Sequence, residues 1–164
     1  MFREMRRKNQ ALDALLCREI LQKTENGVLA LLGDEEYPYA VPLNHVMMDG
    51  KLYFHCAVKG HKVDAIKRCS KASYCVVAED EVDAQNLSTR FRSVIAFGQV
   101  RMVEEMQTKK RALQAIAERF APDNMAAAMK EIDDSLSATG IIELTIEHLS
   151  GKESKALARE RREK

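Results

Sequence analysis

The dipeptide Asp49-Gly50 constrains this chain more than any other pair of residues. Asp-Gly tolerates the positive φ angles of a two-residue turn whose twist matches antiparallel strands. The segment around it, "EEYPYAVPLNHVMMDGKLYFHCA", therefore reads as two strands joined at that turn. Pro38 and Pro42 each remove a ladder donor, so the first strand belongs at a sheet edge or carries a bulge. A lone hairpin is marginal in water and needs further strands. Four other segments can supply them: "GVLALLG" (27–33), "KASYCVVAE" (71–79), "RFRSVIAFGQVRMVEE" (90–105) and "TGIIELTIEHLS" (139–150).

These strands have distinct patterns. Residues 27–33 are a short apolar run between glycines, as a buried strand requires. The strand 90–105 is apolar on both faces between Val94 and Phe97, and Gly98 invites a bend. In the last strand Ile142, Leu144 and Ile146 are expected inward and Glu143, Thr145 and Glu147 outward. Helical spacing of Leu12, Leu15, Leu16 and Ile20 predicts a first helix over 9–23, with Asn9 as its N-cap. "HKVDAIKR" predicts a short helix, with Val63 and Ile66 inward. Leu113, Ile116, Ala117 and Phe120 form a longer stripe, and "NMAAAMKEIDD" is a further helical piece. "DEVDAQNLST" (80–89) is expected to be a loop, and "GKESKALARERREK" (151–164) a charged tail that frays.

Strands and helices in this order give an α+β fold. The expected architecture is a small antiparallel split β-barrel of about six strands with flanking helices, one domain over 1–150 followed by the tail 151–164. With 26 Lys and Arg against 25 Asp and Glu, a net charge of +1 gives no pull toward nucleic acid. No apolar run approaches the roughly 20 residues that span a bilayer, so no membrane partner is expected. "MFREMRRKNQ" is too polar for a secretory signal, and cytoplasmic residence follows as the expectation. Four cysteines without a CxxC pair read as reduced thiols.

The chemistry concentrates at the end of "KLYFHCAVKGHKVDAIKR". A strand followed by a helix start presents unpaired amides and the positive end of a helix dipole at Gly60 to Val63. Lys62 adds a fixed charge and His61 a donor, a combination suited to a phosphate. His55 and Cys56 lie just upstream on opposite strand faces, and the hairpin is expected to bring Asn44 and His45 level with them. A planar, polar-edged ligand with a phosphate tail would fit. The alternative is a zinc site from His45, His55, Cys56 and His61, although none of these shows a pre-organising spacing. GxSxG, GxxxxGK and GxGxxG are absent, which removes support for a serine hydrolase, a P-loop and a Rossmann site.

Taken together, "MRRK", "GVLALLG…YPYAVPLNHV", "DGKLYFHCAVKGHKVDAIKR" and "RSVIAFGQV" resemble the flavin-binding split-barrel family related to pyridoxamine 5'-phosphate oxidase, in the branch named for nitroimidazole-resistance proteins. The resemblance covers residues 5–149. It implies a homodimer with two FMN sites at the interface and a small-molecule substrate. It also implies that Val41, Pro42, Leu43 and Asn44 line the flavin ring through backbone groups, with His45 near the pyrimidine edge. His55 and Cys56 fall where the family contacts flavin and ribityl chain, and Ser93 at a polar position that reaches the cofactor. His61 and Lys62 stand where the oxidases carry Arg-Lys on the phosphate. The arginine-rich C-terminal substrate segment of the true oxidases has no counterpart, which argues against pyridoxamine phosphate as substrate. The expected activity is an FMN-dependent oxidoreductase acting on small aromatic or nitroaromatic compounds. The alternative is a non-catalytic flavin- or haem-binding module.

Overall fold

Asp49 and Gly50 make the expected turn, with φ of 53° and 76°. Across it Val46, Met47 and Met48 face Tyr53, Leu52 and Lys51. The hairpin is shorter than the sequence suggests, because the strand before the turn is broken at His45. The computed structural model describes residues 2–163. Its strands are β1 (Ala11–Leu12), β2 (Asn26–Leu32), β3 (Pro38–Asn44), β4 (Val46–Met48), β5 (Lys51–Ala57), β6 (Lys71–Asp83), β7 (Ser88–Met102) and β8 (Thr139–Glu153). Its helices are α1 (Ala14–Lys23), α2 (His61–Arg68), α3 (Met106–Phe120), α4 (Met125–Ser135) and α5 (Lys155–Arg162).

All pairings are antiparallel, in the order β3-β2-β6-β7-β8-β5-β4, with β1 added beside β8. The fold is α+β, a curled split barrel with eight strands rather than about six. The extra strands are the two-residue β1 and the separate β4. The stretch 80–89 is not a loop: β6 and β7 stay paired out to Asp83 and Ser88, leaving only 84–87 as the turn. The register between β7 and β8 slips at Phe97/Gly98, where a bend was expected. Helix α1 starts later than 9, since Asp13, not Asn9, is its cap, accepting the Leu16 amide at 2.8 Å. Residues 8–10 form a 3₁₀ turn instead.

β3 and β4, the two ends of the sheet path, are consecutive in the chain, with only His45 between them. The His45 ring has no exposed surface. Its Nε2 lies 2.7 Å from the Leu21 carbonyl and must carry the proton, since a carbonyl only accepts. Its Nδ1 lies 2.9 Å from the Tyr74 hydroxyl, which also sits 2.8 Å from the Leu43 carbonyl. Burial lowers the pKa of His45 below the usual histidine value. In the neutral form one phenolic proton therefore serves two acceptors. This seam joins β3, β4, β6 and the end of α1.

The interior of the curl packs Leu29, Phe54, Tyr74, Val94, Ile142 and Leu144. A second cluster lies on the outer face of β5 and β8, where Tyr53 and Ile141 meet Ala112, Leu113 and Ile132 of α3 and α4. Because both faces of β8 are covered here, simple alternation fails. Glu143, expected outward, is buried under α3. It accepts hydrogen bonds from Tyr53 Oη at 2.8 Å, Arg101 Nε at 2.9 Å and Lys51 Nζ at 3.0 Å. Burial alone would raise its pKa, but the bonds from Arg101, Tyr53 and Lys51 outweigh it and hold the carboxyl at about 2.

Through Glu163 the tail does not fray, and Lys164 lies outside the described residues. β8 runs on to Glu153, and Ser154 caps α5, which buries Leu157 and Ala158. Glu153 is fully buried between Arg161 Nε at 2.7 Å and Arg92 Nη2 at 3.0 Å. The "LARERR" pattern supplies both the small apolar face and the arginine that pays for this buried carboxylate.

Two outcomes follow. Replacing Tyr74 with Phe leaves the buried His45 Nδ1 without a donor and removes the side-chain bond to the Leu43 carbonyl, and urea unfolding should show a loss of about 1–3 kcal/mol. A loss below about 0.5 kcal/mol would mean the seam is dispensable, as for an ordinary surface position. Glu143 has a depressed folded-state pKa, so its contribution is complete above its ordinary value of 4.5 and is lost as pH falls toward 2. Stability measured from pH 6 to 2 should fall less steeply in Glu143→Gln than in wild type, and an equal slope would contradict the assignment.

Candidate functional site

The strand β5 ends at Ala57, and a short link delivers Gly60 to the start of α2. Gly60 has φ 120° and ψ 174°, a conformation L side chains rarely adopt. A Cβ built there meets nothing within 4 Å, so the corner opens outward. Among the described residues no side chain caps α2. The amides of Val63 and Asp64 turn back to the Gly60 carbonyl at 2.8 and 3.1 Å. Those of His61 and Lys62 remain as the free donors of the helix start.

Lys62 is half-buried, and its charge is felt at Cys56. Burial raises the Cys56 pKa and Lys62 only partly opposes that, so Cys56 is a protonated thiol, not a nucleophile. It packs against the core, whereas His55 lies exposed on the opposite face of β5. Among the described residues His55 has no hydrogen-bond partner.

The His61 ring does not extend into the open corner. It stacks on Tyr39 of β3, with centroids 4.1 Å apart and planes 20° from parallel. Its Nε2 is 3.4 Å from Asp34 Oδ2, and Arg68 holds Asp34 Oδ1 at 3.0 Å. These contacts fix α2 against β3 and the turn before it. Tyr39 and Asp34 were not read from the sequence as site residues. The alternation Tyr39, Val41, Leu43 was a usable signal for the first; nothing local marked the second.

β3 ends the hydrogen-bonded path. The Gly33 amide bonds the Tyr37 carbonyl and the His45 amide bonds that of Glu25, so odd positions along this stretch turn toward the β2 side. Alternation then turns Ala40, Pro42 and Asn44 to the outer edge. Pro42 thus forfeits no ladder bond, and the edge offers carbonyls and two N–H groups to a ligand. Val41 and Leu43 point side chains into the core.

Two residues fall elsewhere than expected. Asn44 pairs with Asn26 on β2 and not across the hairpin from His55. His45, enclosed in the seam, has no surface to offer a ligand. Ser93 lies between Val77 and Lys152 on the sheet. Val77 lies two positions beyond Cys75, the partner of Val28, so Ser93 is level with the Asn26–Asn44 pair at the β3 end of the sheet. The four zinc-type side chains also stay apart: His45 at the seam, His55 and Cys56 on opposite faces, and His61 on Tyr39.

Residues 13–153 match the family model described as pyridoxamine 5'-phosphate oxidase. No functionally curated protein matches the chain. Solved structures share the fold at low identity. A Bacteroides thetaiotaomicron protein named for 5-nitroimidazole antibiotic resistance is 21% identical, with TM-score 0.75, covering 87% of this chain and 85% of its own. The FAD and haem binding protein of Mycobacterium smegmatis is 23% identical, with TM-score 0.75, covering 90% and 74%. A flavocytochrome of Azotobacter vinelandii is 19% identical, with TM-score 0.79, covering 93% and 72%.

Proposed function

The chain belongs to the pyridoxamine 5'-phosphate oxidase family, and we propose that it is an FMN-dependent oxidoreductase, active as a homodimer on small aromatic or nitroaromatic compounds. The observation that carries this reading is the open, uncapped start of α2 beside the free edge of β3. The amides of His61 and Lys62 and the Lys62 ammonium receive the phosphate. Backbone groups of Val41 to Asn44 hold the polar edge of the ring, through the carbonyls of Pro42 and Asn44 and the Asn44 amide. His45 acts behind them, positioning the strand. Cys56 supplies a neutral wall along the ribityl chain, and exposed His55 is the side chain free to donate a proton to a bound substrate. A bound flavin supplies the hydride or electron transfer itself.

The homodimer is supported by an apolar outer sheet face. Val28, Leu32 and Val77 are 40%, 37% and 58% exposed on one side of β2 and β6, with Cys75 between. Ser93 pairs with Val77, so a second copy covering this face would bring its Ser93 to the same interface. Among the described residues no helix is long and apolar enough to cross a membrane.

A second reading is a flavin- or haem-binding module without turnover, favoured by the haem named in the Mycobacterium smegmatis structure. Exposed His55 is the ligand type that haem iron accepts. A visible spectrum separates the two, since haem gives a Soret band that flavin lacks.

Titration with FMN should show saturable flavin binding at one per protomer. Lys62→Ala should weaken it by about 1.5–3 kcal/mol, the scale of a charged hydrogen bond. An unchanged dissociation constant would remove the phosphate from this corner.

A further inference from the structure

The termini form a second charged feature, far from α2. The N-terminal segment and α5 enclose a recess of about 340 Å³ lined by Lys155, Arg159 and Arg162 with Asn9 and Gln10. A neighbouring recess of about 420 Å³ shares Gln10 and Lys155 with it and adds Arg7, Phe91 and Ser154. A third, of about 330 Å³, shares Arg7 and adds Arg6 and Lys152. Shared lining residues link the three recesses into a groove that carries six cations and one carboxylate, Glu163.

Among the described residues Arg6, Arg7, Lys152, Lys155, Arg159 and Arg162 form no ion pair with a carboxylate, although Arg90, Arg92 and Arg161 do. Arg162 is held only by the Asn9 carbonyl. Lys155, Arg159 and Arg162 repeat at helical spacing along one face of α5, where like charges repel. Arg159 and Arg162 complement the negative end of the helix dipole. Lys155 does the opposite, as the first residue of the helix after the Ser154 cap. Neither pairing nor the dipole accounts for this stripe, in a chain whose net charge is only +1. Phe91 forms a wall of the middle recess, with the Lys152 ammonium 5.4 Å from its ring centre. Ser88, Thr89 and Ser154 add hydroxyls around it.

We propose that this groove binds a nucleotide, with the phosphates on Arg7, Lys155 and Arg159 and the base against Phe91. Cations spaced along an elongated recess suit two or more phosphates, and the flat ring suits a base. The size of each recess suits a small ligand.

The test uses full-length protein saturated with FMN, so that the α2 corner is not available to the probe. Methylanthraniloyl-ADP is titrated by fluorescence anisotropy at low salt. Saturable binding is expected, weakened at least about tenfold in both Lys155→Glu and Arg159→Glu and hardly changed in Lys130→Glu, a reversal at an exposed position of α4. All three reversals lie on exposed positions, and unchanged melting curves establish that they remain folded. Absence of saturation at millimolar probe, or unchanged affinity in Lys155→Glu and Arg159→Glu, overturns the proposal. It is also overturned if single-stranded oligonucleotides bind with affinity rising with length, since the groove would then track a nucleic-acid backbone.

Discussion

The buried hydrogen-bond chain from Leu21 through His45 and Tyr74 to Leu43 is the constraint on which the rest of this structure depends. It occupies the one residue between the two ends of the sheet path, β3 and β4. A polar ring taken wholly out of water is costly unless its nitrogens are bonded, so this position tolerates few alternatives. Satisfied as it is, the ring turns an open sheet into a curl. It also aligns β3, whose outer edge lies free. The other buried polar groups secure particular elements: Glu143 ties β8 to β5 and β7, and Glu153 ties α5 to β7.

The proposed function rests on what that curl leaves open. β3 keeps one edge unpaired, and α2 begins without a cap beside it. Tyr39, His61, Asp34 and Arg68 lock the two elements together, so the corner is held without any ligand side chain having to reach far. A rigid platform of this kind loses little entropy when it receives a ligand.

Much of this was legible in the sequence, for definite reasons. Asp49-Gly50 named its turn because few dipeptides accept two positive φ angles. Pro38 and Pro42 identified an edge strand because they cannot serve a ladder on both sides. Gly60-His61-Lys62 identified the helix start. The break at His45 was not legible: its cause is the contact with Tyr74, 29 residues away, and local pattern carries no trace of it. The burial of Glu143 was hidden for a similar reason, since alternation assumes one wet face and α3 covers it. Residues 151–164 looked like a solvated tail because their stabilising contacts lie with Gln10 and Arg92, at the far end of the chain and in mid-barrel. α2 begins at His61 as expected, but the stacking of its ring on Tyr39 depends on a tertiary approach that spacing does not encode.

The most direct measurement of the central claim is a crystal structure of the protein grown with FMN. The account predicts the phosphate against the backbone amides of His61 and Lys62, the ring along the outer edge of β3, and Ser93 of a second protomer nearby. A flavin found elsewhere on the barrel, or none at a concentration that saturates related flavoproteins, would contradict it.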